Sequence, residues 1–140
     1  MDIETRSSLL AAAERSSVIA LAERLVEQHG HPSILLAPEV GLVALEVREP
    51  VCSERFIVGD VLITRAEVVV GSAEGWAARM GDDREATFAA AICAAVGDHR
   101  LGGADEVDHL CEATAHARDL DAMKEWSDLT PTIVDFEEMD

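Results

Sequence analysis

Val18, Leu21, Ala22, Leu25 and Val26 recur at the i, i+3, i+4, i+7, i+8 spacing of one helix face, which makes this the clearest amphipathic helix in the chain. Ser16 is the N-cap expected to start it, and Gly30 and Pro32 end it. Residues 3–15 predict a shorter helix with Leu9, Leu10 and Ala13 inward, so the chain opens on an αα unit that must dock an apolar face. From residue 33 the period falls to two. Residues 33–37 and 42–48 are short extended runs, separated by a turn at Pro38, Glu39, Val40 and Gly41 and closed by Pro50. In the second run Leu42, Ala44, Glu46 and Arg48 alternate with Val43, Leu45 and Val47, one face apolar and the other turning polar.

Residues 54–70, ERFIVGDVLITRAEVVV, are the stretch around which the rest is expected to be arranged. β-Branched residues favour a strand over a helix here, and Gly59-Asp60 supplies the freedom that a bend or bulge needs. A further strand is expected at residues 75–80. Asp82 and Glu85 have capping-box spacing before a helix with Phe88, Ala89, Ile92, Cys93 and Val96 inward, closed by Gly97. After Gly102-Gly103, a helix over residues 105–126 carries a drifting stripe of Val107, Leu110, Cys111, Thr114, Ala117, Leu120 and Met123. Pro131 should stop it, leaving residues 132–136 extended, either as a frayed acidic end or as an edge strand or arm on a partner. The fold class is therefore α+β: a mainly antiparallel sheet of four to five strands, the N-terminal αα unit and two later helices packed on it.

Charge complicates the central stretch. In a strand Val61, Ile63, Arg65, Glu67 and Val69 share one face and Leu62, Thr64, Ala66, Val68 and Val70 the other. Arg65 and Glu67 then lie either on a solvated sheet face or, with Arg55 and Asp60, on a partner interface or anion site, where guanidinium groups make bidentate contacts. Spacing does not separate the two.

The chain has 140 residues, 49% of them hydrophobic, enough for one domain with a core of its own. No run approaches the roughly 18 apolar residues of a membrane span, and the polar start MDIETRSS lacks the regions of a secretory signal, so a cytoplasmic protein is expected. A formal charge of -17 argues against nucleic acid, anionic membranes and unaided capture of a triphosphate, and favours a basic partner or plain solubility. Cys52, Cys93 and Cys111 match no disulfide framework, and His109 and His116 near Cys111 match neither zinc-finger nor HExxH spacing, so no metal is expected. Phosphate-loop, nucleophile-elbow and dinucleotide signatures are absent.

The run Glu54, Arg55, Phe56, Gly59, Asp60, Thr64, Arg65, Ala66 and Val68 resembles the signature of the PhnG family, a subunit of the bacterial carbon-phosphorus lyase core complex. Supporting pieces follow in the same order: Gly41-Leu42-Val43, Gly81-Asp82-Asp83-Arg84, and Thr132-x-Val134-Asp135-Phe136. The resemblance implies work beside PhnH, PhnI and the ATP-binding-cassette-like PhnL. Together these replace the adenine of ATP with an alkylphosphonate, before PhnJ breaks the carbon-phosphorus bond. It carries over no identified catalytic residue, which leaves that role open, and it implies no cofactor for this chain alone, since ATP is a substrate of the complex and the iron-sulfur centre belongs to a partner. A scaffold that only stabilises PhnI is the alternative. The interface candidates are Glu54, Arg55, Phe56, Gly59, Asp60, Thr64, Arg65, Glu67, Val134, Asp135 and Phe136.

Overall fold

A computed structural model describes residues 1–134. In chain order the elements are α1 (Ile3–Ala12), α2 (Arg15–His29), β1 (Ser33–Arg48), β2 (Arg55–Val70), β3 (Ala73–Met80), α3 (Arg84–Asp98), α4 (Ala104–Leu129) and a 3-10 turn at Thr130–Thr132. The class is α+β, with an antiparallel sheet of three strands in the order β1-β2-β3 rather than four or five.

The difference comes from bulges where turns were expected. Between Leu36↔Glu67 and Glu39↔Arg65, β1 advances one residue more than β2, so Pro38 sits in a bulge on an edge strand, where its missing N–H breaks no ladder. The runs over residues 33–37 and 42–48 thus join into one strand. β2 is likewise continuous. It carries an extra residue, Val58, where pairing steps from Leu45↔Gly59 to Glu46↔Ile57, so the bulge expected at the glycine is present, although Gly59 does not adopt positive φ.

Helix ends move by a residue or two. The cap of α2 is Glu14, whose carboxylate accepts from the amides and hydroxyls of Ser16 and Ser17, so Ser16 is bound by the cap and does not form it. Those bonds hold Glu14 down to a pKa of about 2. At α3 the capping side chain is Asp83, which accepts from the Ala86 amide, rather than Asp82. Gly97 lies inside α3, which closes at His99. Pro131 and Thr132 lie in the 3-10 turn, in whose first positions a missing N–H costs nothing, instead of beginning the expected extended run; Ile133 and Val134 belong to no strand, and residues 135–136 of that run lie outside the described residues.

β2 is the middle strand of the sheet, and α3 shares its central place. The inward face of α3 is not a stripe: Ala86, Thr87 and the whole run from residue 89 to 97 are buried. Helix α3 packs on the sheet, chiefly on β2 and β3, and on α1, α2 and α4, while α1 also reaches β3. Alanine makes this possible, because a helix with so little side chain lets neighbours approach its backbone from all sides. Three cations lock the periphery. Buried Arg6 donates to Asp98 at 2.6 Å and Asp108 at 3.2 Å, Arg100 bridges Asp105 and Asp108, and half-buried Arg79 donates to the Leu10 and Ala13 carbonyls that end α1. Burial alone would raise Asp108, but hydrogen bonds from Arg100 and Arg6 hold its carboxyl below the usual range. No described helix is long and apolar enough to cross a membrane.

Candidate functional site

The sheet is broad only near α3. β3 pairs with β2 from Ile63↔Met80 to Val70↔Ala73, and beyond Leu62 the two remaining strands run on alone. Residues 41–48 and 55–62 therefore form a two-stranded ribbon with no helix and, among the described residues, no third strand upon it. At about 3.3 Å per residue it reaches roughly 26 Å past the body. Leu42, Val43, Leu45, Phe56, Val58 and Leu62 are exposed along it, Phe56 by 50%, and Ile57 is 67% exposed. Complete burial of such side chains is worth about 1.5–3 kcal/mol each, and an isolated two-stranded ribbon is marginal in water. These apolar side chains lie on both faces of the ribbon, and exposed apolar surface of this kind is what docking sites display.

The turn at its tip is tied by the Glu49 carboxylate, which accepts from the Val51 amide at 2.9 Å and from the Cys52 amide. Those backbone bonds lower the Glu49 pKa. Of the three cysteines only Cys52 is exposed. Burial pushes Cys93 up to about 12 and Cys111 up to about 11, so both remain thiols near neutral pH.

The motif residues fall into groups. Glu54 immediately precedes the ribbon's second strand, and Arg55, Phe56, Gly59 and Asp60 lie along it. Arg55 approaches Glu46 at 3.4 Å and is two-thirds exposed. Thr64 is buried and structural: its hydroxyl donates to the Gly81 carbonyl at 2.7 Å and accepts from the Asp83 amide at 3.1 Å, fixing the sheet to the start of α3. Arg65 and Glu67 lie on the outer sheet face, as alternation predicts, with Arg65 held by Glu39 at 2.7 Å. A shallow hollow of about 280 Å³ lies beside that pair, lined by Gly41, Leu42, Val43 and Ile63.

Arg55 does not share their face. The bulge at Val58 shifts the alternation by one, so Arg55 pairs with Arg48 and Glu46 on the opposite side of the ribbon, roughly 33 Å along the strand from Arg65. The expected grouping of Arg55, Arg65 and Glu67 on one face is thus overturned. Val134 is exposed, and Asp135 and Phe136 lie outside the described residues. Among the described residues no three His, Cys, Asp or Glu side chains gather in a metal-holding group.

Sequence reasoning missed the second half of α4. Its inward side is buried only at Ala104, Val107, Cys111 and Thr114, and the stripe expected to continue through Leu120 and Met123 lies open. Ala122, Trp126 and Leu129 repeat at i, i+4 and i+7, with Trp126 65% exposed. The available signal was length: a 26-residue helix spans about 39 Å, more than 15-residue α2 and α3 can cover.

No curated protein matches the chain. The family model of the phosphonate metabolism protein PhnG matches residues 4–140, ribbon and both ends of the fold included. A match over nearly the whole length means that the chain belongs to the PhnG family and takes part in phosphonate metabolism.

Proposed function

We propose that this chain is a docking subunit of a carbon-phosphorus lyase core complex. In that complex, with PhnH, PhnI and PhnL, the ribose triphosphate of ATP passes to an alkylphosphonate and adenine leaves. The observation that carries the reading is the ribbon: an apolar two-stranded arm, bearing the Glu54, Arg55, Phe56, Gly59 and Asp60 segment of the family motif, that no other element among the described residues covers. Its charged residues, Glu46, Arg48, Arg55 and Asp60, keep the free arm soluble and set register on a partner. Arg65 and Glu39 on the outer face are placed to exchange their mutual pair for partner carboxylates or cations. ATP and the phosphonate reach the chain only through the assembly, because an excess of carboxylates repels polyphosphate.

Co-expression with PhnI tests this. The wild-type chain should co-elute with PhnI in size-exclusion chromatography, and Phe56→Ser/Ile57→Asp should elute alone with unchanged far-ultraviolet circular dichroism. Equal co-elution of the variant refutes the ribbon as the interface. A scaffold role is separated by adenine release from ATP and methylphosphonate: PhnH, PhnI and PhnL stabilised at high concentration without this chain would still release adenine if it only holds PhnI together.

A further inference from the structure

The apolar ribbon and the apolar half of α4 leave the body at the same end. α2 and α3 run parallel, their starts joined where Arg15 donates to Asp83 at 3.1 Å. α4 runs back against them: Glu106 pairs with Arg24 late in α2, whereas Thr114, Ala117 and Asp121 lie beside Ser17 and Glu14 at its start. Everything in α4 beyond that point projects past the beginning of α2. The ribbon projects past the beginning of α3, because Leu62 accepts from the Gly81 amide just before the Asp83 cap and residues 55–61 continue outward. α4 packs on α1, α2 and α3 with no comparable contact to a strand, so α3 stands between the sheet and α4.

The two projections differ in reach. Residues 122–129 extend about 12 Å beyond the start of α2 at 1.5 Å per residue, about half the roughly 26 Å of the ribbon, so α4 is the short jaw and the ribbon the long one. The floor between them is the shared end of α1, α2 and α3.

Charge says what fits. On the ribbon and its tip, Glu46, Glu49, Glu54 and Asp60 outnumber Arg48 and Arg55. On outer α4, Asp119, Asp121, Glu125 and Asp128 outnumber Arg118 and Lys124. On the floor, Glu14, Asp82, Asp83 and Glu85 outnumber Arg15 and Arg84. Each surface carries more acidic than basic residues, on the ribbon and α4 beside exposed apolar side chains, which repels a second copy of a chain of charge -17.

We propose that the ribbon and outer α4 are two jaws that grip a single partner protein, one whose seated element has an apolar centre and a Lys/Arg border. This rests on the complex-subunit reading and goes beyond it, by requiring both jaws to close on the same subunit. Binding through two linked surfaces gains affinity from effective concentration, so loss of either jaw should be felt in full.

PhnH, PhnI and PhnJ, purified separately, are the probes. Titrations use the full chain, Ile57→Asp and Met123→Ala/Trp126→Ala; all three substituted side chains are exposed, so folding is checked only by circular dichroism. One subunit should bind the full chain, each variant should raise its Kd tenfold or more, and a tenfold rise in NaCl should weaken binding further. In a Trp76→Phe background the emission of Trp126 should shift to the blue on binding, while Cys52 becomes protected from alkylation. Failure of all three subunits to bind overturns the complex reading and the jaws together. Binding sensitive to Ile57→Asp but not to the α4 variant overturns the jaws and leaves the complex reading standing. Different subunits for the two surfaces, or salt-insensitive binding, overturns the single basic partner, and self-association on titration replaces it with a second copy.

Discussion

Gly75→Ala tests whether α3 is pinned to the sheet by close backbone approach. A Cβ at Gly75 would overlap the Ala91 carbonyl oxygen and the Ala95 amide nitrogen, and would stand 2.7 Å from the Ala95 Cα. All three atoms are α3 backbone, so no side chain can swing aside. Restoring ordinary contact lifts α3 by roughly 1 Å, and because α3 is also packed on α2, α4 and α1 the shift disturbs every layer. Overpacking of this kind costs about 1–3 kcal/mol, offset by about 0.4–1 kcal/mol from the stiffer unfolded chain, for a net loss of about 1.3 kcal/mol. In a chain of 140 residues that lowers Tm by about 4–5 °C. Thermal melts by far-ultraviolet circular dichroism, with urea midpoints at unchanged m, give the measurement. Gly59→Ala is the control, since nothing lies within 4 Å of its Cβ position and its φ is not positive; it should hold Tm within about 2 °C. An unshifted Gly75→Ala, or an equal fall in both variants, would refute the close approach.

Arg65→Ala should change the stability of the isolated chain by less than about 0.5 kcal/mol, because Arg65 and Glu39 are both about half exposed, yet weaken assembly with PhnI. Arg65→Lys should restore assembly only in part, since an ammonium cannot reproduce the planar fork, and full restoration would assign the effect to charge alone. Arg6→Ala should destabilise by about 3 kcal/mol in urea melts, because it leaves Asp98 and Asp108 facing each other without their shared buried cation; a loss below about 1 kcal/mol would make that triad ornamental. Glu14→Gln should lower Tm near neutral pH and converge with wild type in acid. The Glu14 pKa is depressed from 4.5 to about 2, so its contribution is present above 4.5 and fades as pH falls through about 2; parallel curves across that range would contradict this.

The parts of the fold legible in the sequence were those that a single period decides. The buried set of α2, Val18, Leu21, Ala22 and Leu25, and the division of β2 into inward Thr64, Ala66, Val68 and Val70 against outward Arg65 and Glu67, both follow from alternation alone. What failed depended on partners distant in sequence. Pro38 and Gly41 carry the local signs of a turn, and only pairing with β2 shows Pro38 absorbed in a bulge and Gly41 in regular ladder. The central place of α3 was hidden because an alanine-rich helix looks the same whether one side or all sides are covered. For the candidate site, the family motif was legible as a run of residues, but its geometry was not. One extra residue at Val58 moves Arg55 to the other face, and no local pattern records such an insertion.

The ribbon bears on how long a newly made chain survives by itself. Residues 41–62 hold their shape through one ladder and the Glu49-tied turn, so their opening is cheap compared with unfolding the layers around α3. Opened, the arm offers proteases an extended substrate at the Val51 and Cys52 tip and offers other chains unpaired edges beside Phe56 and Ile57. On the docking reading proposed above, molecules that find a partner first are shielded and those that do not are exposed to clipping and aggregation, so the cellular amount of this chain should track the supply of whatever covers the arm.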